Sequence, residues 1–209
     1  MTMRPSRETF ERLVGFDRER MGSRTGPLAG VDEAGRGALA GPVVAAAVVC
    51  EPCEELLGVR DSKLLPESTR ERLRDIIVER CAAWSAGVVE PGVIDRINIL
   101  KATMEAMKIA VEGLKVRPSL VIVDGRDLPD IPFPAEAVTG GDNKSFSVAA
   151  ASIVAKVTRD RIMREQEKLH PGYGFLRNKG YGTREHILAI RDRGSTIIHR
   201  RSFRVGSGE

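Results

Sequence analysis

An α/β fold with a helical C-terminal part is predicted from three features of the 209-residue chain. Short apolar runs rich in valine and alanine occupy the first two thirds, bounded by glycine, proline or an acid. Stretches with apolar residues at every third or fourth position alternate with them, as helices packed on a sheet require. The last third reads as helix and loop.

Residues 5–22 read as a short amphipathic helix carrying Phe10, Leu13 and Phe16, followed by a polar linker over 22–27. Residues 28–32 form a first strand. After the Gly41-Pro42 break, residues 43–49 form a second, largely buried strand, although their alanines leave a helix open as an alternative. Asp61-Ser62-Lys63 falls in a loop. Pro66 starts a helix, where its missing N–H does no harm, with Leu73, Ile76, Ile77 and Cys81 on one face. Residues 84–89 are a third strand. Ile94, Ile97, Leu100, Met104, Met107, Val111 and Leu114 recur at helical spacing, which predicts one continuous helix ended by Pro118, its stripe facing the core. Residues 120–123 are a short buried strand ending in Asp124-Gly125, and residues 135–139 a fifth. Gly140-Gly141-Asp142 opens onto a helix over 147–169, alanine-rich at its start and so packed closely on the sheet. Residues 171–182 form a Gly- and Tyr-rich loop. Thr183 caps a last helix that ends before Gly194.

Hydrophobic residues make up 42% of the chain and charged residues 30%, a globular rather than a disordered composition. The first 27 residues are charged throughout, with no apolar core of a secretory signal, and the longest near-apolar run (38–50) contains Gly41 and Pro42 and is too short to span a membrane. A cytoplasmic protein, monomeric by default, is expected. The three cysteines are too few and odd in number for a disulfide framework, and Cys50-Glu51-Pro52-Cys53 lacks the second ligand pair of a zinc site. Net charge is +4, but residues 150–209 carry +7 and the rest −3. An acidic body with a basic C-terminal third fits a metal site beside a nucleic-acid footprint.

Asp32, Glu33, Asp124 and Asp142 each fall at a strand end or loop beside glycine, where open α/β sheets gather ligands. Gathered carboxylates repel one another, so protons or cations must neutralise them; paired Mg²⁺ ions are the common solution in nucleases. Neighbours on a regular strand face opposite ways, so Asp32 and Glu33 are expected to act together only if the chain turns at Glu33. The segment Gly35-Arg36-Gly37-Ala38-Leu39-Ala40 also matches a degenerate dinucleotide fingerprint, but that motif needs a helix next, where a strand is expected here. A binding module using the basic third alone is the non-enzymatic alternative; clustered acids without metal would repel its phosphates.

The segment Ala29-Gly30-Val31-Asp32-Glu33-Ala34-Gly35-Arg36-Gly37 resembles the signature of the type 2 ribonucleases H, and of their bacterial ribonuclease HII branch above all. So do Asp61-Ser62-Lys63, Val123-Asp124-Gly125, the stretch Ala150-Ala151-Ser152-Ile153-Val154-Ala155-Lys156-Val157-Thr158-Arg159-Asp160, Lys179-Gly180-Tyr181-Gly182-Thr183, and His199-Arg200-Arg201-Ser202-Phe203. The motifs run in order over nearly the whole chain. The resemblance implies an RNase H-like fold: a five-stranded mixed sheet flanked by helices, with a helical C-terminal region. It implies residues 1–27 as an N-terminal helix and linker, and 28–209 as the catalytic domain, basic and helical from about 170. It implies cleavage of RNA in RNA–DNA hybrids and of DNA on the 5′ side of single embedded ribonucleotides, leaving 3′-hydroxyl and 5′-phosphate ends. By motif position, Asp32, Glu33, Asp124 and Asp142 match the family's metal-binding acids, serving two Mg²⁺ or Mn²⁺ ions; Asp160 ends its motif and is passed over for Asp142. Tyr181 would pack on the sugar at the ribo-to-deoxy junction. Gly35, Arg36 and Gly37 suit backbone reading of a 2′-hydroxyl. Lys63, Lys144, Lys156, Lys179 and Arg184 are candidate phosphate contacts, with Ser62 and Ser152 as possible donors.

Overall fold

The computed structural model describes residues 7–205, so the expected helix positions 5 and 6 and the end of the tail, 206–209, lie outside the described residues. Five strands form one sheet in the order β3-β2-β1-β4-β5. Strands β1 (Leu28–Ala34), β2 (Val43–Val49) and β3 (Ala83–Val89) make an antiparallel meander. Strands β4 (Leu120–Asp124) and β5 (Ala135–Val138) run parallel to β1 on its other side. The mixed sheet is therefore as expected, and β1 is its centre: Val31 pairs with Ala47 on one side and Val123 on the other.

Every residue of β2 is buried, because helices cover both faces. On one face lies α4 (Ile99–Glu112), which packs Ala102, Ala106, Met107 and Ala110 against Val31, Ala45, Ala47 and Val123. On the other lies α5 (Phe146–Leu169), the longest helix, buried almost completely over its first ten residues. Small side chains at Ala149, Ala150 and Ala151 bring its backbone close to the sheet, and Gly30 completes the fit: a Cβ there would strike the Ser147 carbonyl. The helix α2 (Glu67–Arg80) follows Pro66 and buries Leu73 and Ile77 beside α5. The N-terminal helix α1 (Arg7–Met21) adds Leu13 and Val14 to the same core, and its Asp17 carboxylate accepts both the backbone N–H and the hydroxyl of Ser147 at 2.8 Å.

Two expectations need correction. The stripe from Ile94 to Leu114 is two helices, α3 (Pro91–Ile97) and α4, separated at Asn98. Asn98 adopts φ 69°, and its side-chain oxygen accepts the Lys101 N–H to cap α4. The break shifts the helical phase, so Leu100 is left 40% exposed while Ile94, Met107 and Val111 stay buried. The loop after α5 is also not wholly irregular, since it contains the short helix α6 (Phe175–Asn178). The last helix, α7 (Arg184–Arg193), is capped by Thr183, whose hydroxyl accepts the His186 N–H, and stops at Gly194, as expected. None of the helices among the described residues is long and apolar enough to cross a membrane.

Candidate active site

Strand β1 does not turn at Glu33. It continues to Ala34, and the turn comes at Gly35, where φ is 94° and a Cβ would collide with the Arg159 side chain. Alternation alone would send Glu33 away from Asp32. Carboxylate oxygens of Asp32, Glu33 and Asp124 nevertheless lie within 4.8 Å of one another. Two features make this possible. Asp124 ends β4, the parallel neighbour of β1, so both strands deliver their acids at the same edge. The Asp32 carboxylate also folds back to accept the Glu33 N–H at 2.7 Å.

The cost of gathering these charges appears in their acidities. Burial pushes the Asp32 carboxyl well above its ordinary range, and the neighbouring Glu33 and Asp124 charges push the same way. Glu33 is raised as well, by burial first; Arg36, 3.7 Å from it, works against the rise and Asp124 adds to it. A site that holds several carboxylates and resists ionising all of them is one that a cation would complete.

Asp142 lies beside this trio but outside the three-carboxylate group. It sits in a 3₁₀ turn, Gly141–Asn143, placed against β4 by the Asp124 carboxylate, which accepts the Gly141 N–H at 2.6 Å. Burial raises its pKa, Asp61 adds to the rise, and Lys63, whose Nζ is 3.4 Å from Asp142 Oδ2, opposes it. Asp61, read in the sequence only as part of the Asp61-Ser62-Lys63 motif, was not among the candidate site residues. Its carboxylate caps the turn Ser62–Leu64 by accepting the Lys63 N–H, and so aims Lys63 at Asp142. An aspartate just ahead of Ser-Lys is the ordinary mark of such a cap. Asp160 is committed elsewhere, to Lys156 at 2.6 Å and Arg70 at 3.7 Å.

The remaining candidates divide into two groups. Arg36, Lys63, Lys144 and Arg184 are exposed, and Gly37 stands in open space with nothing within 4 Å of a Cβ. Tyr181 is half-buried, its ring flanked by the Arg159 guanidinium at 5.2 Å and the Lys156 ammonium at 5.6 Å. Ser62 and Ser152 meet each other: the Ser62 N–H donates to the Ser152 hydroxyl oxygen at 3.2 Å, and both residues are buried. Lys179 departs from the expected phosphate contact. It is 7% exposed, and its ammonium donates to the Leu176 carbonyl and lies 3.4 Å from Glu67. Arg159 and Arg200 are likewise buried, so the basic C-terminal third presents fewer cations to solvent than its composition suggests.

The sheet, its helical cover and the acidic edge define a nuclease of the RNase H type, and comparison with known proteins gives the family. The family model described as Ribonuclease HII matches residues 29–205. Ribonuclease HII of Desulfitobacterium hafniense (strain DSM 10664 / DCB-2) is 54% identical over 176 residues, covering 84% of this chain and 68% of its own. That of Enterococcus faecalis (strain ATCC 700802 / V583) is 51% identical over 176 residues, covering 84% and 69%. Among solved structures, the ribonuclease H2 from Pyrococcus horikoshii OT3 superposes with a TM-score of 0.72 at 29% identity, over 86% of this chain and 95% of that one. RNase HII from Archaeoglobus fulgidus, solved in complex with PCNA, gives 0.72 at 28% identity over 85% and 95%. The chain belongs to the ribonuclease HII family. It is a ribonuclease H, an enzyme that cleaves the RNA strand of RNA–DNA hybrids.

Proposed function

We propose that this enzyme also nicks duplex DNA on the 5′ side of a single embedded ribonucleotide, leaving 3′-hydroxyl and 5′-phosphate ends, with Asp32, Glu33, Asp124 and Asp142 as its metal-holding acids. The observation that carries this reading is the trio of carboxylates within 4.8 Å at the edge of β1 and β4, next to the glycine turn. The donor set is all carboxylate oxygen, which fits a hard divalent cation such as Mg²⁺ or Mn²⁺. Two such ions, when bound, supply a water activated for attack and compensation of charge at the leaving oxygen.

The chain's own residues do the rest. Asp32, Glu33 and Asp124 give the primary anionic pocket, and Asp142 extends it. Lys63 holds Asp142 in place and offers a positive charge at the mouth of the site. The Gly35-Arg36-Gly37 turn lets backbone groups approach a 2′-hydroxyl with no side chain at Gly37 in the way. Tyr181 packs on the sugar at the ribo-to-deoxy junction, its orientation supported by the two cations over its ring. Lys63, Lys144, Arg36 and Arg184 set the strands in register through their phosphates without reading sequence. The catalytic unit in this reading begins at residue 28, with α1 as a preceding helix that packs into its core and residues 22–27 as the linker.

The test is cleavage of an end-labelled DNA duplex carrying one ribonucleotide, with Mg²⁺ or Mn²⁺ added. One nick on the 5′ side of the ribonucleotide is expected. Cleavage of continuous hybrids alone would overturn the junction reading and leave the hybrid activity standing.

A further inference from the structure

The segment 196–203 touches one part of the surface that the proposed reading assigns to the ribonucleotide and reaches the other through His186. It lies along the loop 36–42: the Gly41 N–H donates to the Ile198 carbonyl, the Arg200 N–H donates to the Leu39 carbonyl, and Ala40 and His199 form a β-bridge. The Arg200 side chain then grips the same loop from behind. Its Nε donates to the Gly41 carbonyl at 3.0 Å and its Nη1 to the Arg36 carbonyl at 3.1 Å, and the guanidinium stacks on Phe203 at 5.0 Å. It is 3% exposed and its Nη2 has no partner in the protein. A buried guanidinium with no carboxylate on it is unfavourable, and what it secures is the carbonyl of the central residue of the glycine turn.

One residue earlier, His199 reaches the other part. The Thr196 N–H donates to His199 Nδ1 at 2.9 Å, so His199 carries its proton on Nε2. That nitrogen is 3.1 Å from His186 Nε2, which must accept. His186 Nδ1 is left as the donor to the Tyr181 carbonyl at 2.9 Å, which the Thr183 N–H also binds. A carbonyl only accepts, so the hydrogen bonds run in a single direction, from the tail through two neutral imidazoles to Tyr181. Tyr173 and Phe175 close around the pair and keep water out.

We infer that segment 196–203 is a positioning element that, beside the direct Leu39 and Ala40 N–H bonds to the Gly180 carbonyl, fixes the glycine turn relative to Tyr181, with Arg200 holding the turn and the His199–His186 pair holding the tyrosine. The inference rests on the proposed reading of those two surfaces. Neither Arg200 nor the histidines touch substrate; they fix the backbone that does. A displacement of about 1 Å at such a surface is worth up to about 10²-fold in rate.

The experiment measures kcat and KM on the single-ribonucleotide duplex, with melting temperature, for wild type, Arg200→Lys, His186→Leu and His186→Asn. Lysine keeps the charge of Arg200 and loses the fork; the Asn amide nitrogen keeps the donor that His186 Nδ1 offers, and Leu removes it. Arg200→Lys and His186→Leu are expected to lose about tenfold or more in kcat, with KM within about twofold of wild type, and His186→Asn to recover most of that loss. Unchanged kcat in both, a loss confined to KM, or equal loss in His186→Leu and His186→Asn would overturn the inference. So would losses that follow melting temperature across the set, and the two sites allow that comparison even where one variant is unstable. Failure of wild type to nick this duplex would instead remove the junction reading itself, and the inference with it.

Discussion

Asp124 joins the acidic trio to the fold, since its carboxylate both belongs to that trio and anchors the turn that carries Asp142. Asp124→Asn keeps an oxygen for the Gly141 N–H and removes the charge. Cleavage should fall to background while hybrid binding, followed by fluorescence anisotropy, stays close to wild type. Retained turnover would exclude Asp124 from the metal site. Gly35 is the second decisive position. Its φ of 94° and the Arg159 side chain lying where a Cβ would sit leave no place for alanine. Gly35→Ala should cost about 1–3 kcal/mol in urea denaturation, and a change within error would mean that Arg159 moves aside freely. Asp32, Glu33 and Asp124 stood out as candidates because they close apolar runs with glycine one or two residues away, whereas Asp142, beside Gly141, was singled out by motif position. The fate of the basic residues was not visible. Whether Lys179 meets a phosphate or turns inward to Glu67 and a helix carbonyl depends on α2, more than a hundred residues away. Arg159 and Arg200 entered the sequence reading only through their motifs and the basic third, since nothing local records that loop 36–42 offers them its carbonyls.

Among the elements, β1, β2 and β4 were legible because burial on both faces demands continuous apolar runs, with β2 and its seven buried residues the extreme case, and α5 was legible from its alanine-rich start. The division of α3 from α4 was hidden because apolar spacing continues through it, while the signal for the break is one asparagine, a residue that tolerates positive φ and caps the next helix. Asn98→Ala should therefore destabilise by about 1–2 kcal/mol, whereas Asn98→Gly keeps the backbone and loses less; equal losses in urea titrations would assign the whole effect to the cap. The packing of α6, α7 and the tail around His186 and His199 has its own pH dependence. Burial, with His186 and His170 adding to it, lowers His199 from an ordinary 6.5 to about 4. The groups facing the pair are Thr196, Tyr173, Phe175 and, beyond His186, Glu185. A folded-state value below the unfolded one means stability that is complete above pH 6.5 and declines as pH falls toward 4. The decline is at most about 3 kcal/mol, and smaller once solvent screening is counted. Comparing urea midpoints of wild type and His199→Phe across that interval isolates the effect, since the buried acids are common to both; parallel curves would rule it out.

For the whole molecule, the sign of the charge is arranged rather than merely in excess. The acids gather at the C-terminal ends of the inner strands β1 and β4, while Arg36, Lys63, Lys144 and Arg184 stand exposed. Binding of a hybrid in the Asp124→Asn background should weaken steeply with salt, with a log–log slope near about −0.9 per phosphate engaged. Replacing Lys144 should make that slope shallower by about one, and an unchanged slope would remove it from the footprint. The mixed sheet carries one more consequence, which concerns time. β1 is paired on one side by β2, which follows it directly, and on the other by β4, which reaches it only after α2, β3, α3 and α4 have been made. Parallel pairing across so much chain is slow compared with a meander. A chain emerging from the ribosome can thus settle β1, β2 and β3 while Asp32 and Glu33 still lack Asp124 and Asp142. With the four acids in the role proposed for them, hydrolytic competence is expected late in the life of each newly made molecule, after the scaffold that will bear it has begun to fold.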